Sequence, residues 1–178
     1  MKPMTHRLLA QEHDWCLVAN RWGARHLVRG YFRMVSRLGD GAFWYALMGL
    51  VAWLDKARGL DAAAHLAVTG GIATLVYRRL KRWTKRPRPF VADGRIQAWV
   101  APLDEFSFPS GHTLHAASFT LVALAYYPAL AWLLLPFTLS VALSRVVLGM
   151  HYPSDVIAAT FLGGLIALAT LQIVPMVS

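Results

Sequence analysis

The chain is poor in cysteine and in acids, and long stretches of it carry no charge at all. A single cysteine, Cys16, excludes an internal disulfide and any zinc site built on several thiolates. Nine acids stand against 18 Lys and Arg, for a formal net charge of +9. So few carboxylates do not furnish a two-metal centre, and no HExxH-type spacing occurs. No repeat or low-complexity segment stands out. No uninterrupted apolar core precedes Asp14, Arg21 and Arg25, so a cleavable signal peptide is not expected.

What the chain has in excess is apolar surface. Hydrophobic residues make up 57% of its 178 positions, where soluble domains have about 45–50%. The mean hydropathy is +0.44 and the sequence pI near 10.3. These values point to one domain of an integral membrane protein. The positive charge then suits anionic lipid headgroups or an anionic substrate, and no nucleic-acid partner is expected.

Residues 5–37 predict an amphipathic helix lying in the interface, within an N-terminal segment 1–38. Leu8, Trp15, Val18 and Trp22 recur at helical spacing, and Arg21, Arg25, Arg29, Arg33 and Arg37 every fourth residue. Each arginine would cost roughly 2.5–3.5 kcal/mol at a bilayer centre, so the helix reads as an anchor with snorkelling arginines. Residues 39–178 then form an all-α transmembrane bundle. Its expected spans are 41–54, which is short, and 62–80, two within the block 110–149, and 155–174. A polar turn, 55–61, separates the first two; Pro128 turns the chain inside the 110–149 block, and Pro136 kinks the helix after it. About 20 residues cross a bilayer, so the count is about five.

Three polar clusters flank these spans: "KRWTKRPRP" at 81–89, "PSGH" at 109–112 and "SRVVLGMHYPSD" at 144–155. The first two share one loop. From His112 the chain crosses, turns at Pro128 and returns by Ser144, so all three clusters meet on one side. Lys81, Arg88 and Arg145, with Arg82, Lys85 and Arg86 nearby, suit a phosphate dianion. Ser110, Gly111 and His112 begin a helix, where unpaired N–H groups favour an anion. Of two histidines, His112 and His151, one imidazole can attack phosphorus and the other, protonated, can donate to the leaving oxygen. Asp155 follows His151 by four residues and can reach its ring to fix the tautomer. The surrounding positive charge would repel a divalent cation, so neither a metal nor a cofactor is expected.

K-x6-R-P at Lys81–Pro89, P-S-G-H at 109–112 and S-R-x5-H-x3-D at 144–155 together resemble the three-part signature of type 2 phosphatidic acid phosphatases. That superfamily also holds vanadium-dependent haloperoxidases and glucose-6-phosphatase. The resemblance covers roughly residues 39–175, with no departure inside the motifs. It implies a metal-independent helical membrane phosphatase with a phosphohistidine intermediate. Carried over, Lys81, Arg88, Arg145, Ser110 and the Gly111 backbone bind phosphate. His151 is the nucleophile, Asp155 orients it, and His112 protonates the leaving group and then helps activate water. The implied substrate is a lipid phosphate: phosphatidic acid, phosphatidylglycerophosphate, undecaprenyl diphosphate or lipid A phosphate. The sequence selects none of these, nor an oligomeric state.

The remaining polar residues have plainer readings. Arg78, Arg79, Arg82, Lys85, Arg86 and Arg95 read as lipid anchors. Asp93, Asp104 and Glu105 read as solvated loop acids, His65 as a hydrogen-bonded core histidine, and His115 and Ser144 as packing. Trp83, Trp99, Tyr126 and Tyr127 read as interface aromatics. Two rival functions are a vanadate-dependent haloperoxidase, disfavoured by the five spans, and a lipid-binding protein without catalysis, disfavoured by the intact His112, His151 and Asp155. The resemblance implies a bacterial inner membrane with the site on the periplasmic face. The positive-inside rule favours the opposite orientation, because the other face holds only Lys56 and Arg58.

Overall fold

The computed structural model describes residues 2–173, with side chains from residue 11 onward. The Leu8 side chain and residue 174, the end of the last expected span, lie outside the described residues. The described chain is helical, in the order α1 (Lys2–Gly23), α2 (His26–Arg37), α3 (Phe43–Leu54), α4 (Lys56–Thr84), α5 (Pro89–Ala92), α6 (Gly111–Tyr126), α7 (Ala131–Val147) and α8 (Pro153–Ile173).

The single N-terminal helix expected over 5–37 is two helices. α1 ends at Gly23, and Arg25 is extended (φ −71°, ψ 125°) before α2 begins. Gly23 is pressed against other segments: a Cβ there would lie 2.8 Å from the Trp99 indole and 2.9 Å from the Val147 carbonyl. Close docking at the weakest helix former of the stretch ends the helix there. α2 and α3 meet through one wide π turn, Leu38–Ala42, in which Gly41 takes φ 135°. That conformation is open to glycine and swings Asp40 towards the bundle end where the clusters meet.

The polar turn expected over 55–61 shrinks to Asp55, and α4 runs continuously from Lys56. Pro128 does mark the expected turn, as a short 3-10 segment Pro128–Leu130 between α6 and α7, and Pro136 lies inside α7. Three segments are long and apolar enough to cross a membrane: Lys56–Ala92, Pro128–Val147 and Pro153–Ile173. α6 has 16 residues and α3 only 12. At 1.5 Å per residue α3 covers about 18 Å, short of a core of about 30 Å, so the first span is short, as the sequence indicates.

α6 is the central helix, packed against α4, α7 and α8. The largest core joins Trp44, Leu66, Phe119, Tyr126, Leu134 and Val141 from α3, α4, α6 and α7. Large apolar side chains face outward instead of being hidden: Trp132, Trp53, Leu75 and Phe161 are all exposed. In water such a belt would drive association, whereas in a bilayer it meets acyl chains. Inside, polar groups pair across helices, as Thr69 with Thr170 at 3.1 Å and Thr120 with Thr138 at 2.6 Å. His65 is the expected core histidine, its Nδ1 3.1 Å from the Tyr126 hydroxyl. Tyr126 is therefore a buried core residue rather than the interface aromatic it resembled. Tyr127 does sit at the edge, donating to Asp55 at 2.9 Å, and Trp83 is largely exposed.

Candidate active site

Local chain geometry brings the three clusters to one end of the bundle. α4 carries Lys81 in its last turn and stops at Lys85, which is left-handed (φ 47°) and donates its N–H to the Lys81 carbonyl at 3.0 Å. Arg88 is extended (φ −75°, ψ 155°), and Pro89 opens α5 with its preset φ. Ser110 caps α6, its hydroxyl accepting from the Thr113 N–H at 3.4 Å. α7 carries Arg145 in its last turn, and a short loop presents His151 before Pro153 starts α8.

These turns enclose a cavity of about 650 Å³ lined by Lys81, Arg88, Gly111, His112, Arg145 and His151, together with Asp40 and Asp104. Six of the eight residues nominated from sequence therefore share one wall. The other two stand behind it. The Ser110 side chain is fully buried and engaged with Thr113, its Oγ 2.9 Å from Thr113 Oγ1. Asp155 is fully buried beneath His151.

The three cations are buried, which is costly unless an anion answers them. Asp104 supplies one. Its carboxylate accepts from Lys81 Nζ at 2.6 and 2.7 Å and from Arg88 Nη2 at 2.7 Å. Burial alone would raise the Asp104 pKa, but the hydrogen bond and charge of Lys81, with Arg88, bring it below the ordinary carboxylate range. Asp104, a partly exposed loop acid, is thus also a partner of the cation cluster, which its sequence context does not suggest. Arg145 donates from Nη1 to Ser36 Oγ at 2.5 Å, tying the cluster to α2.

His151 Nε2 faces this cluster, 3.4 Å from Arg88 Nη1. Burial, followed by the charges of Arg145, Arg88 and Lys81, holds the imidazole pKa well below its ordinary value. A buried neutral imidazole with Nε2 turned to cations is suited to nucleophilic attack on an anion those cations hold. On its other side, Nδ1 stands 3.6 Å from Asp155 Oδ2, longer than a hydrogen bond. Asp155 is held instead by Ser107 Oγ, by the Tyr152 N–H at 2.9 Å and by Arg86 Nη1 at 2.8 Å. Arg86 also meets Glu12 at 3.0 Å. Arg86 is accordingly an inward-facing ion-pair residue, not a lipid anchor.

His112 has a carboxylate of its own. Its Nε2 is in contact with Asp40, from the π turn between α2 and α3. A second cavity of about 670 Å³, lined by Arg33 and Arg37 of α2, shares Asp40, His112 and Arg145 with the first. His112 therefore stands between two chambers. His115, one turn on, bonds the Gly111 carbonyl at 2.9 Å and Thr74 at 3.2 Å, bracing the start of α6. Ser144 is the expected packing residue, donating to the Val141 carbonyl at 2.6 Å. Among the described residues, no three His, Cys, Asp or Glu side chains are grouped so as to hold a metal ion.

Sequence reasoning missed Asp40, Ser107 and Glu12. The one cue for Asp40 was an acid between two glycines, just ahead of an apolar run; Ser107 and Glu12 carried none.

A family model described as the PAP2 superfamily matches residues 60–178, which include all three clusters. This chain belongs to the PAP2 superfamily. Among its PAP2 relatives, phosphatidylglycerophosphatase B of Escherichia coli (strain K12) is 41% identical over 214 residues, covering 89% of this chain and 77% of the relative. Undecaprenyl-diphosphatase BcrC of Bacillus subtilis (strain 168) is 34% identical over 118 residues, covering 65% of this chain. The chain spans 60% of that protein's length. The PAP2 fold is also seen in the crystal structure of a transmembrane PAP2 type phosphatidylglycerolphosphate phosphatase from Bacillus subtilis. That structure aligns with a TM-score of 0.76 at 22% identity, over 94% of this chain and 86% of its own. Asp40 and Glu12 lie outside the PAP2-matched residues, so the motifs carry no trace of them.

Proposed function

We propose that this PAP2 protein is a membrane lipid phosphatase, cleaving a phosphomonoester or diphosphate from a lipid through a phosphohistidine on His151. One observation carries the reading. A cationic socket beside His151 Nε2 already grips an oxyanion, the Asp104 carboxylate, with Lys81 and Arg88. A phosphate dianion offers more charge and more acceptor oxygens than a carboxylate and would displace it.

In this mechanism Lys81, Arg88, Arg145 and the Gly111 backbone hold the phosphate oxygens. Neutral His151 attacks phosphorus through Nε2; the N–P bond forms as the P–O bond to the lipid breaks. His112 gives its proton to the departing oxygen, releasing a lipid alcohol or, from a diphosphate, a lipid monophosphate. His112 then takes a proton from water, which attacks phosphorus, breaks the N–P bond and frees inorganic phosphate. Its place between two chambers suits a donor set between the phosphate and its leaving group. No metal takes part in these steps. The relatives' substrates, phosphatidylglycerophosphate and undecaprenyl diphosphate, are the first two candidates. We place the protein in a bacterial inner membrane with the site on the periplasmic face, and residues 1–38 as a segment bordering the catalytic bundle.

The test is phosphate release by the purified chain in detergent, from phosphatidic acid, phosphatidylglycerophosphate, undecaprenyl diphosphate and lipid A, with excess EDTA. Release from one lipid that survives EDTA and is lost in His151→Ala is expected. Release abolished by EDTA would overturn the metal-free mechanism; no release from any lipid would overturn the phosphatase reading.

A further inference from the structure

The sequence reads α1 as an anchor, yet its buried face is polar. Glu12, Cys16 and Asn20, at i, i+4 and i+8, form one stripe and are all buried, whereas Trp15, Val18 and Trp22 are half exposed on the other side. The apolar face looks out and the polar face looks in, towards the loop that carries His151.

The stripe meets that loop at three places. Asn20 Nδ2 donates to the Val147 carbonyl at 3.1 Å and to the Gln97 carbonyl at 2.9 Å, while its Oδ1 accepts from Gln97 N–H at 2.9 Å. Cys16 Sγ lies 4.0 Å from the His151 carbonyl oxygen. Burial, with the charges of Glu12 and Asp155, pushes the Cys16 thiol up to about 12, so it stays neutral there. Glu12 Oε1 accepts from the Ser154 N–H at 2.9 Å and from the Ser154 hydroxyl, at the positive end of α8.

From Glu12 a chain of charges leads to the site. Glu12 Oε2 accepts from Arg86 Nη2 at 3.0 Å. Arg86 Nη1 donates to Ser154 Oγ at 2.7 Å and to Asp155 Oδ1 at 2.8 Å. The guanidinium lies over the Tyr152 ring, 4.1 Å from its centroid. Arg86 does not line the 650 Å³ cavity, so it has no direct path to the substrate. Its fork joins two carboxylates, one on α1 and one under His151, through separate nitrogens of a planar guanidinium.

We propose that α1 braces the catalytic loop and that Glu12 and Arg86 are positioning residues, acting on His151 through Asp155. This rests on the phosphatase reading. Without Glu12, Arg86 loses one anchor and Asp155 loses the fixed partner on Oδ1. Oδ2 keeps Ser107 and the Tyr152 N–H, but the carboxylate loses its clamp on the Oδ1 side and its orientation to His151 Nδ1 loosens. The substrate-binding cations are untouched, so turnover suffers while binding does not.

The test uses the full chain in detergent and phosphate release from the same four lipids, comparing Glu12→Gln, Glu12→Asp, Arg86→Gln, Arg86→Lys, the double variant Glu12→Gln with Arg86→Gln, and Val18→Ala on the outer face. Glu12→Gln is expected to lower kcat by about 10–100-fold, the usual scale for a group that orients a site from behind. KM should stay within about twofold, as for a group acting only in the reaction step. Glu12→Asp should recover most of kcat, Arg86→Lys only part of it, and Val18→Ala should match the unmodified chain. The double variant should be no worse than Arg86→Gln alone, because the two act in one chain. If the unmodified chain is active and Glu12→Gln keeps its kcat, the positioning role is overturned by itself. Equal loss in Glu12→Gln and Glu12→Asp, or a Glu12→Gln protein that no longer folds, would replace it with plain scaffolding. An inactive unmodified chain would take the phosphatase reading down as well.

Discussion

Two histidines on the cavity wall each have an aspartate beside them, and the two pairings are built differently. Asp155, beside His151, is fully buried and saturated by Ser107, the Tyr152 amide and Arg86. Asp40, against His112, has a side chain 38% exposed and sits on a glycine-flanked turn between α2 and α3. One carboxylate is held from several sides; the other is partly open to solvent. The proposed roles need that difference. A nucleophile attacks from one position and gains from a rigid partner. A group that gives a proton to a leaving oxygen and then takes one from water gains from an open partner.

The largest effect is expected from His151→Ala, a loss of kcat of about 10⁶-fold, as when a nucleophile is removed from a unit that works together. His112→Ala should cost less, about 10²–10⁴-fold. An aryl phosphate, whose leaving group needs no proton, should restore much of the His112→Ala rate and none of the His151→Ala rate. Equal rescue of both would erase the proposed division of labour.

The carboxylates come next. Asp155→Asn is expected to lower kcat by about 10⁴-fold, since an amide offers the imidazole the wrong partner. Asp40→Asn should cost only about 10–100-fold. If the two losses are equal, the burial difference between the pairs has no bearing on turnover.

The pH profile sharpens the contrast. Burial and three cations depress the His151 pKa, so it stays neutral below the ordinary imidazole value of about 6.5. The acid limb of kcat/KM from this group should therefore lie on the acid side of about 6.5. Stability has the same sign. As pH falls below about 6.5 the unfolded chain binds a proton at this histidine that the folded chain does not, so the melting midpoint should fall. His151→Asn should flatten that part of the stability profile.

The smallest effect is expected at Asp104. Asp104→Asn removes the internal anion from Lys81 and Arg88, so KM for the lipid phosphate should fall a few-fold and inhibition by inorganic phosphate should tighten. A higher KM would make Asp104 a builder of the socket, not its occupant.

Much of this site is legible in the chain. Apolar segments that each cross and return bring Lys81, His112 and His151 to one end, whatever the packing between them. The partners are not legible, and Arg86 and Arg88 show why. They are two apart and look alike, and in a regular extended strand they would share one face. The chain leaves α4 through the left-handed Lys85 and is irregular up to Arg88, so no periodicity tells the two apart. Arg88 turns into the cavity and Arg86 turns under it, to Asp155 and Glu12.

The sequence by itself determined the bilayer setting, the end of the bundle at which the clusters gather and the residue types available for phosphate chemistry. Those follow from transfer free energy and chain length, which are properties of segments. Only the tertiary structure decided which acid answers which base. Glu12 meets Ser154 across 142 positions, and Asp40 meets His112 across a turn that no periodicity announces. A buried charge takes the partner that folding brings within about 3 Å, and that proximity leaves no local pattern in the chain.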